Sequence, residues 1–172
     1  MSAEAALGLG GNLGDPVAAF ATALRRLGAT PGVALRARSS VWRTAPWGVE
    51  DQPEFRNMAV LVETTLPAEE LLALCLAIER EGGRERRERW GPRTLDIDIL
   101  TFGDAAIDRP GLQIPHPRIA ERAFVLAPLA EIAPRTAIGG RAVADLLATL
   151  ADAEVRRDAD ETARLATLLA GA

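Results

Sequence analysis

The sequence predicts an α+β fold whose first two thirds alternate strands and helices and whose last third is mainly helical. Three observations carry that prediction. Apolar spacing switches between period two, which marks a half-buried strand, and a period near 3.6, which marks a helix. Clusters of glycine and proline punctuate the periodic segments. The 172 residues are 48% apolar and 26% charged, which suits one soluble domain with a core of its own.

Taken in order, residues 5–9 read as a short buried strand running into the turn Gly10-Gly11-Asn12-Leu13-Gly14. Asp15-Pro16 then supplies a helix N-cap followed by proline at the first helical position. Val17, Phe20, Leu24 and Leu27 follow at helical spacing, with Gly28 placed to end the helix. From Val33 the period becomes two, putting Val33, Leu35, Ala37, Ser39 and Val41 on one strand face. Residues 44–53 carry two prolines, a glycine and Trp47, and read as a loop. A third strand over 54–64 places Met58, Val60 and Val62 on one side and Phe55, Asn57 and Ala59 on the other. A second helix starts near Pro67 with Glu69 and Glu70 in its first turn, as the helix dipole favours, and Leu71, Leu74, Cys75 and Ile78 form its apolar stripe.

An arginine-dense loop over 82–93 feeds a fourth strand over 94–102. The order β-α-β-β-α-β is the split βαβ arrangement of ferredoxin-like folds, with an antiparallel sheet. Beyond it lie a short element over 107–114, a Pro-His-Pro turn, a helical stretch interrupted by Pro128, and further helix over 143–150 and 155–169. The expected organisation is one domain over residues 1–151 and a helical tail over 152–172.

Composition excludes several classes of function. All 20 basic residues are arginine, so Schiff-base chemistry and a lysine-bearing phosphate loop are ruled out. A net charge of −4 argues against a general nucleic-acid or anionic-membrane surface. One cysteine allows no internal disulfide, and one histidine allows no zinc cluster. No apolar run reaches the roughly 18 residues of a membrane span, and the N-terminus has no basic leader region. A reduced, cytoplasmic setting is expected.

Asp96 and Asp98, two apart in Leu95-Asp96-Ile97-Asp98-Ile99, fall on one face of their strand. Alone they are better read as a plain half-buried strand with a polar outer face. Beside them, however, stand Arg84, Arg86, Arg87, Arg89 and Arg93, opposed only by Glu85 and Glu88. Magnesium takes one or two carboxylates plus substrate phosphates, and the arginine fork grips phosphate oxygens in pairs. The combination reads as a site for magnesium and a polyphosphate. Trp90 in the middle of the loop is a large ring that needs something to cover it. The turn after the first strand is not a dinucleotide fingerprint, because the third glycine of G-x-G-x-x-G falls on Leu13. His116, held between Pro115 and Pro117, has no serine or cysteine nucleophile as partner and suits a phosphate contact.

These motifs together resemble the 6-hydroxymethyl-7,8-dihydropterin pyrophosphokinases of folate biosynthesis, over residues 7–134. The resemblance rests on Gly10-Gly11-Asn12-Leu13-Gly14-Asp15, Thr44-Ala45-Pro46-Trp47-Gly48, the segment 51–57 and Ile114-Pro115-His116-Pro117-Arg118. Its most specific part is residues 89–100, and Arg122-Ala123-Phe124-Val125-Leu126 completes it. It implies a transferase that moves pyrophosphate from ATP to the pterin hydroxymethyl oxygen and releases AMP, with three mobile loops around the site. Carried over by position, Asp96 and Asp98 would hold two magnesium ions. Arg84 and Arg93 would touch the moving phosphates, and Glu79, Arg86, Arg89, Trp90, Ile99, His116 and Arg122 would line ATP. Phe55 and Phe124 would sandwich the pterin, while Thr44, Asn57 and the backbone around Ala45 and Trp47 would read its polar edge. The chain departs from the family at Gly11, where serine is usual, and at Leu76, where some members carry an ATP-contacting glutamine. The resemblance implies small-molecule partners only, with neither nucleic acid nor membrane, and a monomer. Two rival readings are an RNA-binding or regulatory module of the same fold class and a magnesium-dependent nucleotidyltransferase that releases pyrophosphate.

Overall fold

The computed structural model describes residues 1–46, 51–83, 93–150 and 153–171. Its centre is a six-stranded antiparallel sheet. β1 (Ala3–Gly11) lies between β4 (Phe55–Thr64) and β5 (Asp96–Phe102). The far side of β4 is shared by β2 (Val33–Arg38) and β3 (Trp42–Thr44), and β10 (Val155–Arg157) pairs outside β3. With α1 (Pro16–Gly28) and α2 (Ala68–Glu81), the first five strands form the split βαβ arrangement that the sequence predicts. Two hairpins, β6–β7 (Ile107–Arg109 with Leu112–Ile114) and β8–β9 (Ala137–Ile138 with Arg141–Ala142), lie outside the main sheet.

Alternation along the strands creates two cores. Leu7, Leu9, Met58, Val60, Val62, Ile97 and Ile99 face α1, α2 and Leu165 of α5 (Ala159–Ala170). Ala6, Ala59, Leu61 and Leu100 face Leu126 and Leu129 of α3 (Ala123–Ile132) and Val143 and Leu146 of α4 (Val143–Ala148). Both faces of the sheet are therefore covered by helices. The Asp15 carboxylate caps α1 by accepting from the Ala18 N–H at 3.1 Å, and Pro16 follows it, as expected.

Several boundaries differ from expectation for local reasons. β1 continues to Gly11, so Gly10 and Gly11 belong to a strand and not to a turn. Gly28 does not stop α1 with a left-handed turn; it admits the Leu35 side chain, which would lie 3.3 Å from a Cβ. The period-two face from Val33 to Val41 breaks where the register shifts between Leu35 and Ala37, and Leu35 is left exposed. Such a bulge moves the following residues to the other face. α3 runs through Pro128 without ending, although proline withdraws the N–H that would bond the Phe124 carbonyl. Residues 155–157 pair as a strand before α5 begins. Their three-residue length shows no period, and only the free edge of β3 makes them a strand.

Candidate active site

Four strands, β1, β3, β4 and β5, and the start of α3 converge on one end of the sheet. Residues paired across an antiparallel ladder share a face. Gly8 pairs with Asp98 and Ala59, Gly10 with Asp96 and Asn57, and Thr44 with Phe55. Thus Asp96, Asp98, Asn57, Phe55 and Thr44 all rise from the α3 face, and the two glycines between them leave a floor without side chains. Phe124 and Arg122 close the space from the first turn of α3, with the Arg122 guanidinium 5.7 Å from the Phe124 ring centre. The result is a narrow cavity of about 100 Å³.

A second, wider cavity of about 510 Å³ lies against the β6–β7 hairpin and takes in Leu72, Ile97, Ile99, Gln113 and His116. Asp98 lines both spaces. A group held by Asp98 can therefore meet occupants of both cavities.

The polar contacts are specific. Asn57 Nδ2 donates to Thr44 Oγ1 at 3.1 Å, and both residues are buried. The Arg93 guanidinium meets the Asp96 carboxylate at 2.5 Å, which shows how closely a cation approaches this face. His116 Nδ1 accepts from the Arg118 N–H at 3.3 Å, and the His116 N–H donates to the Leu100 carbonyl at 3.0 Å. Burial first, and the charge of Arg122 second, hold His116 below the ordinary imidazole range, so it is neutral near pH 7.

The structure brings Thr44, Ala45, Phe55, Asn57, Phe124, Arg93, Asp96 and Arg122 into the first cavity and Ile99 and His116 into the second. Glu79 stands apart. It is buried, and its carboxylate accepts from the Ile97 N–H at 2.7 Å, so it braces the strand that carries the two aspartates. Trp47, Arg84, Arg86, Arg89 and Trp90 lie outside the described residues.

Sequence reasoning missed two features here. One is the glycine floor, whose signal was Gly8-x-Gly10 inside a strand pattern. The other is Asn12, which is buried. Its Oδ1 accepts from the Arg93 N–H at 3.0 Å, and its Nδ2 donates to Gln52 Oε1 and the Pro53 carbonyl, both at 2.9 Å. It ties the end of β1 to the segments before β4 and β5. The departure at Gly11 has a local reason, since a Cβ there would lie 2.4 Å from the Thr94 carbonyl oxygen.

The donor set fits magnesium: two hard carboxylates on one strand face, with arginine beside them. Among the described residues no group of three metal-ligating side chains occurs. Two carboxylates suffice for an ion that completes its shell with phosphate oxygens and water.

Comparison with known proteins agrees with this geometry. The family model for 7,8-dihydro-6-hydroxymethylpterin-pyrophosphokinase matches residues 6–134. The chain is 49% identical, over 90% of its length and 98% of the relative's, to a 2-amino-4-hydroxy-6-hydroxymethyldihydropteridine pyrophosphokinase of Methylorubrum extorquens. It is 48% identical to the Bacillus subtilis protein of the same name, over 77% of this chain and 79% of that one. The fold resembles a Plasmodium falciparum HPPK-DHPS crystal structure with a TM-score of 0.69 at 16% identity; the match covers 88% of this chain and 44% of that longer one. On the extent of the family match and of these identities, the chain belongs to the 7,8-dihydro-6-hydroxymethylpterin-pyrophosphokinase family, ATP-using pyrophosphokinases of folate biosynthesis.

Proposed function

We propose that in this pyrophosphokinase Asp96 and Asp98 hold two magnesium ions, that the narrow cavity takes the pterin, and that the wider one takes ATP. The observation that carries the reading is the position of Asp98, on the wall shared by the two cavities. Phe55 and Phe124 supply flat apolar faces for the heterocycle, and Thr44, Asn57 and the Ala45 backbone supply the few fixed polar contacts that orient it. Ile99 and His116 in the wider cavity serve ATP, with Glu79 behind them and Arg86, Arg89 and Trp90 from the arginine loop; Arg122, on the narrow cavity's wall, serves the ATP phosphates from beside Asp98, whose charge it feels. Magnesium held by Asp96 and Asp98 would neutralise charge on the transferring group.

The pterin hydroxymethyl oxygen bonds to the β-phosphorus while the bridge to the α-phosphate breaks, AMP leaves, and the hydroxyl proton is released to solvent. Arg84 and Arg93 stabilise the charge that builds on the phosphoryl oxygens, work suited to paired guanidinium N–H groups. Neutral His116 donates a hydrogen bond to phosphate without adding charge. Binding in two adjoining cavities aligns the reactants and removes water that would compete for pyrophosphate.

The protein acts as a monomer in the cytoplasm. Supporting this, both apolar faces of the sheet are covered within the chain, and no helix among the described residues is long and apolar enough to cross a membrane. The test is phosphorus NMR of the purified protein with ATP, magnesium and 6-hydroxymethyl-7,8-dihydropterin. AMP and a pyrophosphorylated pterin are expected; ADP or free pyrophosphate as first product overturns the reading.

A further inference from the structure

β3 holds Thr44 over the narrow cavity, yet it is only three residues long. With β4 as its one neighbour it would be a weakly held edge. β10 pairs along its other side, Val155 with Thr44, Arg156 with Arg43 and Arg157 with Trp42. This second partner comes from beyond the stretch that the family model matches.

The side chains below the sheet make the attachment specific. Arg43, next to Thr44, and Arg56, between Phe55 and Asn57, are register partners, so two guanidinium groups stand directly opposite each other. Like charges so placed push their strands apart. The Asp158 carboxylate, 3% exposed, lies between them. It accepts from Arg43 Nε at 3.1 Å and Nη2 at 2.7 Å, and meets Arg56 Nε at 3.2 Å. It also caps α5 by accepting from the Glu161 N–H at 3.1 Å, while the Asp158 N–H donates to the Val41 carbonyl at 2.8 Å. Glu54 approaches the same arginines at 3.6 and 3.9 Å, but it is 41% exposed and its charge is screened. Burial opposes ionisation of Asp158, and the Arg43 hydrogen bonds with the charges of Arg43 and Arg56 outweigh it, keeping the carboxyl below its usual range.

On the opposite face the same segment grips again. Trp42 Nε1 donates to Glu131 Oε2 of α3 at 3.0 Å, and the Arg157 guanidinium sits 5.4 Å from the Trp42 ring centre. β3 is thus held between α3 above and Asp158 below.

We propose that Asp158 is a positioning residue for pterin recognition: by neutralising the Arg43–Arg56 pair it keeps β3 in register with β4 and so holds Thr44 against Asn57. The inference rests on the reading that Thr44, Phe55 and Asn57 face the pterin. Asp158 touches neither substrate.

The test is steady-state kinetics of full-length Asp158→Asn, a change that keeps an oxygen to cap α5 and removes the charge. The KM for hydroxymethyldihydropterin should rise about tenfold, as for loss of a charge-assisted hydrogen bond, while the KM for ATP and kcat stay within about twofold. Adding Arg43→Gln removes the repulsion, and the double variant should recover most of the lost pterin affinity. Should Asp158→Asn not fold, Asp158→Glu keeps the charge but shifts it by one methylene. It should raise the pterin KM severalfold with the ATP KM unchanged. An unchanged pterin KM in a folded variant, equal rises for both substrates, or a double variant no better than the single one overturns the inference alone. A wild-type protein that forms no pyrophosphorylated pterin overturns the reading of the site and this inference with it.

Discussion

Gly8 and Gly10 make the floor of the narrow cavity because they point toward α3 and carry nothing there. A Cβ on Gly10 would lie 2.8 Å from Asn57 Oδ1, inside van der Waals contact, so Asn57 would have to turn away from Thr44. Gly10→Ala is expected to raise the pterin KM by about tenfold, the equivalent of one good hydrogen bond, and to leave the ATP KM and the circular dichroism spectrum unchanged. An unaltered pterin KM would show that the floor tolerates a methyl group. Asp98 lines both cavities, so Asp98→Asn, which keeps the side chain's size, should keep the fold and lower kcat by roughly a hundredfold or more. Near wild-type turnover at moderate magnesium would remove the metal assignment. Cys75 belongs to the apolar core instead. Burial, reinforced by Glu79 and Asp98, pushes its thiol up to about 12, so almost no thiolate exists at pH 8. A disulfide reagent at that pH should find no reactive thiol in the native protein and one after urea unfolding.

At the scale of elements, β5 and α3 divide the work. β5 alternates, sending Asp96 and Asp98 into the narrow cavity above and Ile97 and Ile99 to the face beneath, where they join the core and border the wider cavity. α3 buries Leu126 and Leu129 against the same sheet, and its first turn thereby carries Phe124 to the rim. Phe124→Ala leaves those anchors in place. It should weaken pterin binding by about 0.5–1.5 kcal/mol beyond the area lost, with ATP binding unchanged in calorimetry. Equal losses for both ligands would mean that the ring supports the helix and not the heterocycle. The β8–β9 hairpin turns on Gly139 and Gly140, with φ of 57° and 79°, the conformation that two-residue hairpin turns demand of glycine.

For the molecule as a whole, the C-terminal segment is bound to the rest at several points. Leu165 of α5 is fully buried in the core shared with α1 and α2. Arg164 bonds the Asp15 carboxylate that caps α1, with one contact at 2.8 Å. Leu165→Ala should lower the unfolding free energy by about 2–5 kcal/mol, the range for a buried leucine whose site cannot collapse. Urea denaturation followed by fluorescence would measure it. A change within about 0.5 kcal/mol, typical of exposed positions, would show that α5 contributes little to the fold.

Local pattern alone determined the strands 55–64 and 96–102, the two helices between them and before them, and the cap at Asp15, because burial on one face leaves a period in the sequence. The same alternation put Asp96 and Asp98 on a common face, and the motifs around them were enough to place the family. What local pattern could not determine was anything decided by a partner far along the chain. Residues 155–157 are a strand only because β3 offers an open edge, and the Gly10 side of β1 is a cavity floor only because Asp96 and Asn57 flank it. Asn12 reads as a turn residue until Gln52, Pro53 and Arg93 are brought to it, and Asp158 reads as one more residue of a helix over 155–169 until Arg43 and Arg56 meet above it. Periodicity records which face of an element is buried; which elements meet there depends on contacts between residues 40 to 115 positions apart, and no local spacing encodes them.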